Sequence, residues 1–116
     1  MKHNFRKLDI WINAMEIVKE VYIILGELPI DERYGLKSQL ARCAVSVPSN
    51  IAEGTGRTSN KDFGHFLDIA LGSAYELETQ LLLVKELFNT ETEPIVEKCQ
   101  HMQRMIIGFK KKLYSQ

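Results

Sequence analysis

Ser46, Glu53, His65 and Asp68 are residue types that can run a hydrolysis, with a hydroxyl nucleophile, an imidazole base and carboxylates to orient it. Their spacing argues against it. If two helices meet at a turn near Thr58, antiparallel pairing sets Glu53 near His65, Asn50 near Asp68 or Ile69, Ser46 by Gly72 or Ser73, and Arg42 by Glu76. Ser46 and His65 then stand about two turns apart, at roughly 1.5 Å per residue. A nucleophile needs its base within hydrogen-bond reach, and neither a nucleophile elbow nor an oxyanion hole is visible. The set Arg42, Ser46, Asn50, Glu53, Ser73 and Glu76 reads better as a polar seam. Arg42 and Glu76 form a charge-assisted pair, and Ser46, Asn50 and Glu53 satisfy backbone groups that Pro48 exposes. A small hydrolase or metal enzyme built on Glu53, His65 and Asp68 is the competing reading.

Metal ligation has little support. Asp62 and His65 share a helical face, as do Glu97 and His101. A di-metal bundle needs inward carboxylates from all its helices, with Glu-x-x-His pairs on two of them. Gly54-Thr55-Gly56-Arg57 is glycine-rich but follows a helix instead of opening one. It reads as a helix end, with Gly54 in the left-handed conformation, and not as a phosphate loop. No catalytic residue, metal, cofactor or small-molecule substrate is expected.

The elements that position these residues are helices. Leu8, Trp11, Met15, Val18, Tyr22 and Leu25 form one apolar stripe, and Ile10, Ala14, Ile17, Val21, Ile24 and Leu28 a second beside it. Together they make a face wider than one partner helix needs, so this helix lies between two neighbours or packs against another subunit. Gly26 and Pro29 end it. Asp31 is placed to cap a second helix, with Glu32 in its first turn. That helix carries Leu36, Leu40, Cys43, Val47 and Ile51, and Pro48 should kink it rather than stop it. Ser59 or Asn60 caps a third, where Phe63, Leu67, Ala70, Ala74, Leu77, Leu81, Val84 and Phe88 keep heptad spacing. Gly72, Ser73 and Ala74 are small enough for a neighbouring backbone to come close. A fourth starts near Pro94 and carries Ile95, Cys99, Met102, Ile106, Phe109 and Leu113. The fold class is therefore all-α: an antiparallel up-down-up-down four-helix bundle with a Pro-kinked second helix, one domain over residues 1–116.

Composition is ordinary for a globular chain, with 45% hydrophobic residues and 26% charged. The net charge is zero, so no global basic field marks a nucleic-acid binder. The two cysteines fall on apolar faces and read as reduced core residues. No signal peptide or membrane-length run is visible, which points to a cytoplasmic protein without membrane contact. Charge is nonetheless segregated. The topology gathers Lys2, Arg6, Lys7, Arg57, Lys61, Lys110, Lys111 and Lys112 at one end, opposed by Asp9, Glu53 and Asp62. This end is either a set of solvated residues that the helix dipoles favour, or a patch for phosphates or a partner. Residues 1–7, polar and basic, read as a frayed arm.

The motifs carry a resemblance. QLARCAVSVPSNIAEGTGR, followed by FGHFLDIALGSAYELETQL, resembles the bacterial four-helix-bundle family of the 23S rRNA intervening-sequence proteins, to which accessory proteins of diversity-generating retroelements are related. Arg42, Ser46, Pro48, Ser49, Asn50, Ile51, Ala52, Glu53 and Gly54 match its first motif. Ile69, Ala70, Gly72, Ser73, Glu76, Leu77 and Glu78 match its second, and Ala41, Cys43, Val47 and Leu71 depart from the pattern. The resemblance implies a homo-oligomer, a pentamer, and contact with RNA or a nucleic-acid-processing protein. A non-enzymatic binding or assembly module is the leading expectation; a protein–protein interaction module without nucleic-acid contact is the alternative.

Overall fold

The structure, a computed structural model, describes residues 3–30 and 35–115. Four helices carry the chain: α1 (Asp9–Leu25), α2 (Leu36–Thr55), α3 (Asn60–Phe88) and α4 (Glu93–Tyr114), preceded by a 3-10 turn at Phe5–Lys7. No strand occurs among the described residues. The longest helix, α3, spans roughly 43 Å at 1.5 Å per residue, close to the 46 Å long axis of the molecule.

Hydrophobic spacing decides what each helix buries. The α3 heptad is inside from Phe63 to Val84, and Phe88 is half-buried. From α1, Ile10, Ala14, Ile17, Val21 and Ile24 enter the core. The other stripe stays largely outside: Leu8, Trp11, Met15 and Val18 are half-buried and Tyr22 is exposed, and only its last member, Leu25, is buried. On α2, Leu40, Cys43, Val47, Pro48 and Ile51 are buried, and on α4 Ile95, Cys99, Met102, Ile106 and Leu113. Contacts between neighbouring helices join early residues to late ones. From α2 to α3 these are Gln39 with Gln80, Ser46 with Ser73, and Gly54 with Phe63. From α3 to α4 they are Asn60 with Leu113, Asp68 with Lys110, and Leu81 with Thr92.

The helix ends qualify several expectations. Asp31 and Glu32 lie outside the described residues; Gly35 stands at the α2 N-cap without a side-chain bond. The helix runs through Pro48 to Thr55. Gly54 is not a left-handed terminus, since the one positive φ among the described residues belongs to Asn89, the α3 C-cap, at 53°. Gly54 is needed for closeness instead: a Cβ there would lie 2.7 Å from Phe63 Cδ1 and 3.0 Å from Phe66 Cβ. Gly72 permits no such approach, because a Cβ would meet nothing within 4 Å. Ser59 caps α3, its Oγ accepting from the Asp62 N–H at 3.1 Å. The stretch from residue 3 to residue 7 is not a frayed arm. Asn4 caps the 3-10 turn, Phe5 packs on Trp11 with ring centroids 5.2 Å apart, and His3 lies 5.3 Å from Phe63 and 5.8 Å from Phe109.

Candidate functional site

Where α2 crosses α3, the polar seam forms in part. Ser46 and Ser73 hydroxyls sit 2.8 Å apart. Asn50 spends its side chain on its own helix: Nδ2 donates to the Ser46 carbonyl at 2.8 Å and to Ser46 Oγ at 2.9 Å. The carbonyl that Pro48 deprives of a donor is that of Ala44, so Asn50 serves the turn beside it. Arg42 and Glu76 line the same cleft, with Gln39, Cys43, Ser46 and Ser73, yet they do not form the expected ion pair. Both are exposed, and an exposed pair gains little over solvent. Glu76 instead accepts from Gln80 Nε2 at 3.2 Å. Glu53 faces Arg57 at 3.8 Å and satisfies no backbone group.

Sequence reasoning misses the two glutamines. Gln80 is 5% exposed and Gln103 7%, buried on opposite flanks of α3. Gln80 donates to Gln39 at 3.3 Å as well as to Glu76, and takes the Cys43 thiol at 3.5 Å. Gln103 donates to Glu78 at 2.8 Å and lies 3.6 Å from the Cys99 sulfur, whose thiol donates to the Ala74 carbonyl at 3.3 Å. Burial, aided by the charge of Glu76, pushes the Cys43 thiol up to about 12. Burial and Glu78 do the same to Cys99, also to about 12. Thiols held protonated are poor nucleophiles and poor metal ligands. The signal available in the sequence is position: Gln103 follows Cys99 by one turn inside the α4 apolar stripe, and Gln80 adjoins Leu81 of the α3 heptad.

The residues that could run hydrolysis do not converge. Glu53 pairs with Arg57, and Asp68 with Lys110. His65 is exposed, its ring against Phe66, and the serine it would activate is bonded to Ser73, two turns further along α3. Among the described residues no three His, Cys, Asp or Glu side chains form a metal-binding group.

At one end of the molecule the N-terminal turn, the α2–α3 connection and the last turns of α4 meet. His3 touches Phe63 and Phe109, and Asn60 Nδ2 donates to the Leu113 carbonyl at 3.1 Å. Arg6, Lys7, Arg57, Lys61, Lys110, Lys111 and Lys112 belong to these segments; Lys2 lies outside the described residues. Lys110 is hydrogen-bonded to Asp68, which raises its pKa, and Arg57 stacks 4.4 Å over the Phe66 ring. Arg6, Lys7, Lys61, Lys111 and Lys112 have no carboxylate within salt-bridge distance among the described residues. Lys7 and Lys112 flank a groove of about 460 Å³ between α1 and α4. Lys110 and Lys111 flank a pocket of about 310 Å³ between α3 and α4. A third groove, apolar and about 360 Å³, lies between α1 and α2 along Trp11, Met15, Val18, Val45, Pro48 and Ala52. Among the described residues, no helix is long and apolar enough to cross a membrane.

Comparison with known proteins places this arrangement. No curated protein matches the chain. A crystal structure of a Bacteroides thetaiotaomicron protein from the S23 ribosomal protein family, described as of unknown function, superposes with a TM-score of 0.80. The alignment covers 88% of this chain and 95% of that one at 23% identity, so the likeness is one of fold. The family model described as 23S rRNA-intervening sequence protein matches residues 6–108, from the N-terminal turn into α4 and short of Lys110, Lys111 and Lys112. The four helices, the α2–α3 motifs and this match agree, and the chain belongs to the 23S rRNA-intervening sequence protein family.

Proposed function

We propose that this chain is a non-enzymatic, homo-oligomeric binding and assembly module that contacts RNA, directly or beside a nucleic-acid-processing protein, through its basic end. One observation carries the reading. Arg6, Lys7, Lys61, Lys111 and Lys112 meet at one end with no carboxylate partner among the described residues, in a protein of zero net charge. Helix dipoles account for cations in the last turn of α4, but not for Arg6, Lys7 and Lys61, which precede helices or begin one. The family description links these chains to an RNA element, which makes RNA the first candidate partner. The groove along Trp11, Met15 and Val18 supports self-association. Symmetry would then repeat each basic end into a ring, raising avidity for a polyanion; a pentamer is the ring that the family resemblance implies. A protein-interaction module without nucleic-acid contact is the reading favoured if that groove, and not the basic end, meets the partner.

The test is RNA binding as a function of salt, with molar mass measured by light scattering on the same sample. Affinity should fall steeply with salt, with a log–log slope of about 0.7 per phosphate contact on single strands. Lys7→Glu/Lys111→Glu/Lys112→Glu should abolish binding at unchanged mass. An intact oligomer that ignores RNA at low salt would overturn the RNA reading.

A further inference from the structure

We propose that the pocket between α3 and α4 at the basic end accepts one unstacked nucleobase, so that the protein selects single-stranded RNA; this rests on the RNA reading above. Its floor is apolar, with Leu67 and Ile106 buried and Leu71 and Ile107 beside them, and Tyr114 also lines it. Lys110, Lys111 and Asp68 stand at its rim. Lys110 is committed to Asp68 and lies 5.5 Å from the Tyr114 ring centroid, so Lys111 is the cation left for a ligand.

Tyr114 is held in place. A methyl group on Gly64 would collide with its hydroxyl, so α3 leaves a gap that seats this phenol although the residue as a whole is 52% exposed. An exposed aromatic fixed beside an apolar floor offers a stacking surface, and a π-face contact tolerates any base. The floor offers no partners for a ribose or phosphate, so those stay at the rim near Lys111. A volume of about 310 Å³ is at the small end of ligand pockets. In a duplex the bases are stacked and paired, and only an unpaired one can be splayed into such a site. Charge complementarity favours a polyanion over an isolated amphipathic acid: Lys112 follows Lys111 on α4, and Lys61 follows Asn60, whose side chain bonds the α4 backbone at Leu113.

The experiment compares three fluorescent probes on the intact protein: an oligouridylate of about ten nucleotides, an abasic strand with the same number of phosphates, and an RNA duplex. The oligouridylate should bind roughly tenfold tighter than the abasic strand, the scale of one base–aromatic stack. Tyr114→Ala should close most of that gap while leaving the salt slope unchanged. Gly64→Ala is the second variant: it keeps every charge, raises helix propensity in α3, and displaces the Tyr114 ring, so it should narrow the gap as well. Equal binding of oligouridylate and abasic strand would overturn the base pocket while leaving the phosphate-binding end intact. Failure of all three probes to bind would remove both. Decanoate is added separately as a competitor: if it occupies the pocket while the two strands bind alike, the site belongs to an amphipathic acid and the proposal is wrong.

Discussion

Between α2 and α3, Ser46 bonds Ser73, Asn50 closes on Ser46, and Gln80 joins Gln39, Glu76 and Cys43. At the basic end, Lys7, Lys61, Lys111 and Lys112 meet no carboxylate among the described residues. The seam is bounded by residues with little or no exposure, such as Leu40, Val47 and Leu77, where an unpaired polar group is costly and self-satisfaction stabilises the fold. The end is solvated, where an unpaired cation costs almost nothing and remains available. Polar residues of the family motifs are used up within the fold, whereas the end with open charge is where the proposed partner would bind.

Substitutions should separate the two regions, beginning with the largest change in stability. Gly54→Val drives a branched side chain into the Phe63 ring at the head of the seam. It should cost about 1–3 kcal/mol, the range for overpacking, read by denaturant unfolding. Next, Ser46→Ala and Ser73→Ala should each cost about 1 kcal/mol. Their double mutant should cost less than the sum, because each single change orphans the same bond; simple additivity would remove that bond from the account.

The thiols give a pH signature of the interior. Both have folded pKa values raised to about 12 from 9.0, so the native state holds protons that the unfolded chain releases between those values. Stability from this source is complete below pH 9.0 and lost as pH climbs toward about 12. Urea midpoints measured across that window should fall, and Cys43→Ala/Cys99→Ala should flatten the fall. The smallest effect belongs to the end. Lys7→Gln/Lys111→Gln/Lys112→Gln should change stability by no more than about 0.5 kcal/mol, as for surface sites without partners; a larger loss would mean that these cations hold the fold.

Much of this was legible in residue spacing. The α3 heptad buries its members from Phe63 to Val84 because period alone selects a helix face. The short α2–α3 connection fixes register, which is why Ser46 can be placed against Ser73 from sequence. Contacts of long exposed side chains were not legible. Arg42 and Glu76 stand across one cleft unpaired, since solvent competes for both. Gln80 and Gln103 were hidden for another reason: a glutamine beside an apolar stripe reads as surface until a thiol and a glutamate are seen to satisfy it. Gly54 and Gly64 serve close contacts with Phe63 and Tyr114, which only the assembled helices reveal. The N-terminal turn likewise depends on distant partners, since His3 is held by aromatic rings of α3 and α4.

The most direct test of the difference between the regions is one RNA-binding assay run at low salt on two variants side by side. Arg42→Gln/Glu76→Gln alters the seam's cleft, and Lys7→Gln/Lys111→Gln/Lys112→Gln alters the end. The seam variant should bind RNA as the parent does, and the end variant should lose at least about tenfold with a shallower salt dependence. Loss of binding in the seam variant, with the end variant unaffected, would contradict the RNA-binding role of the basic end.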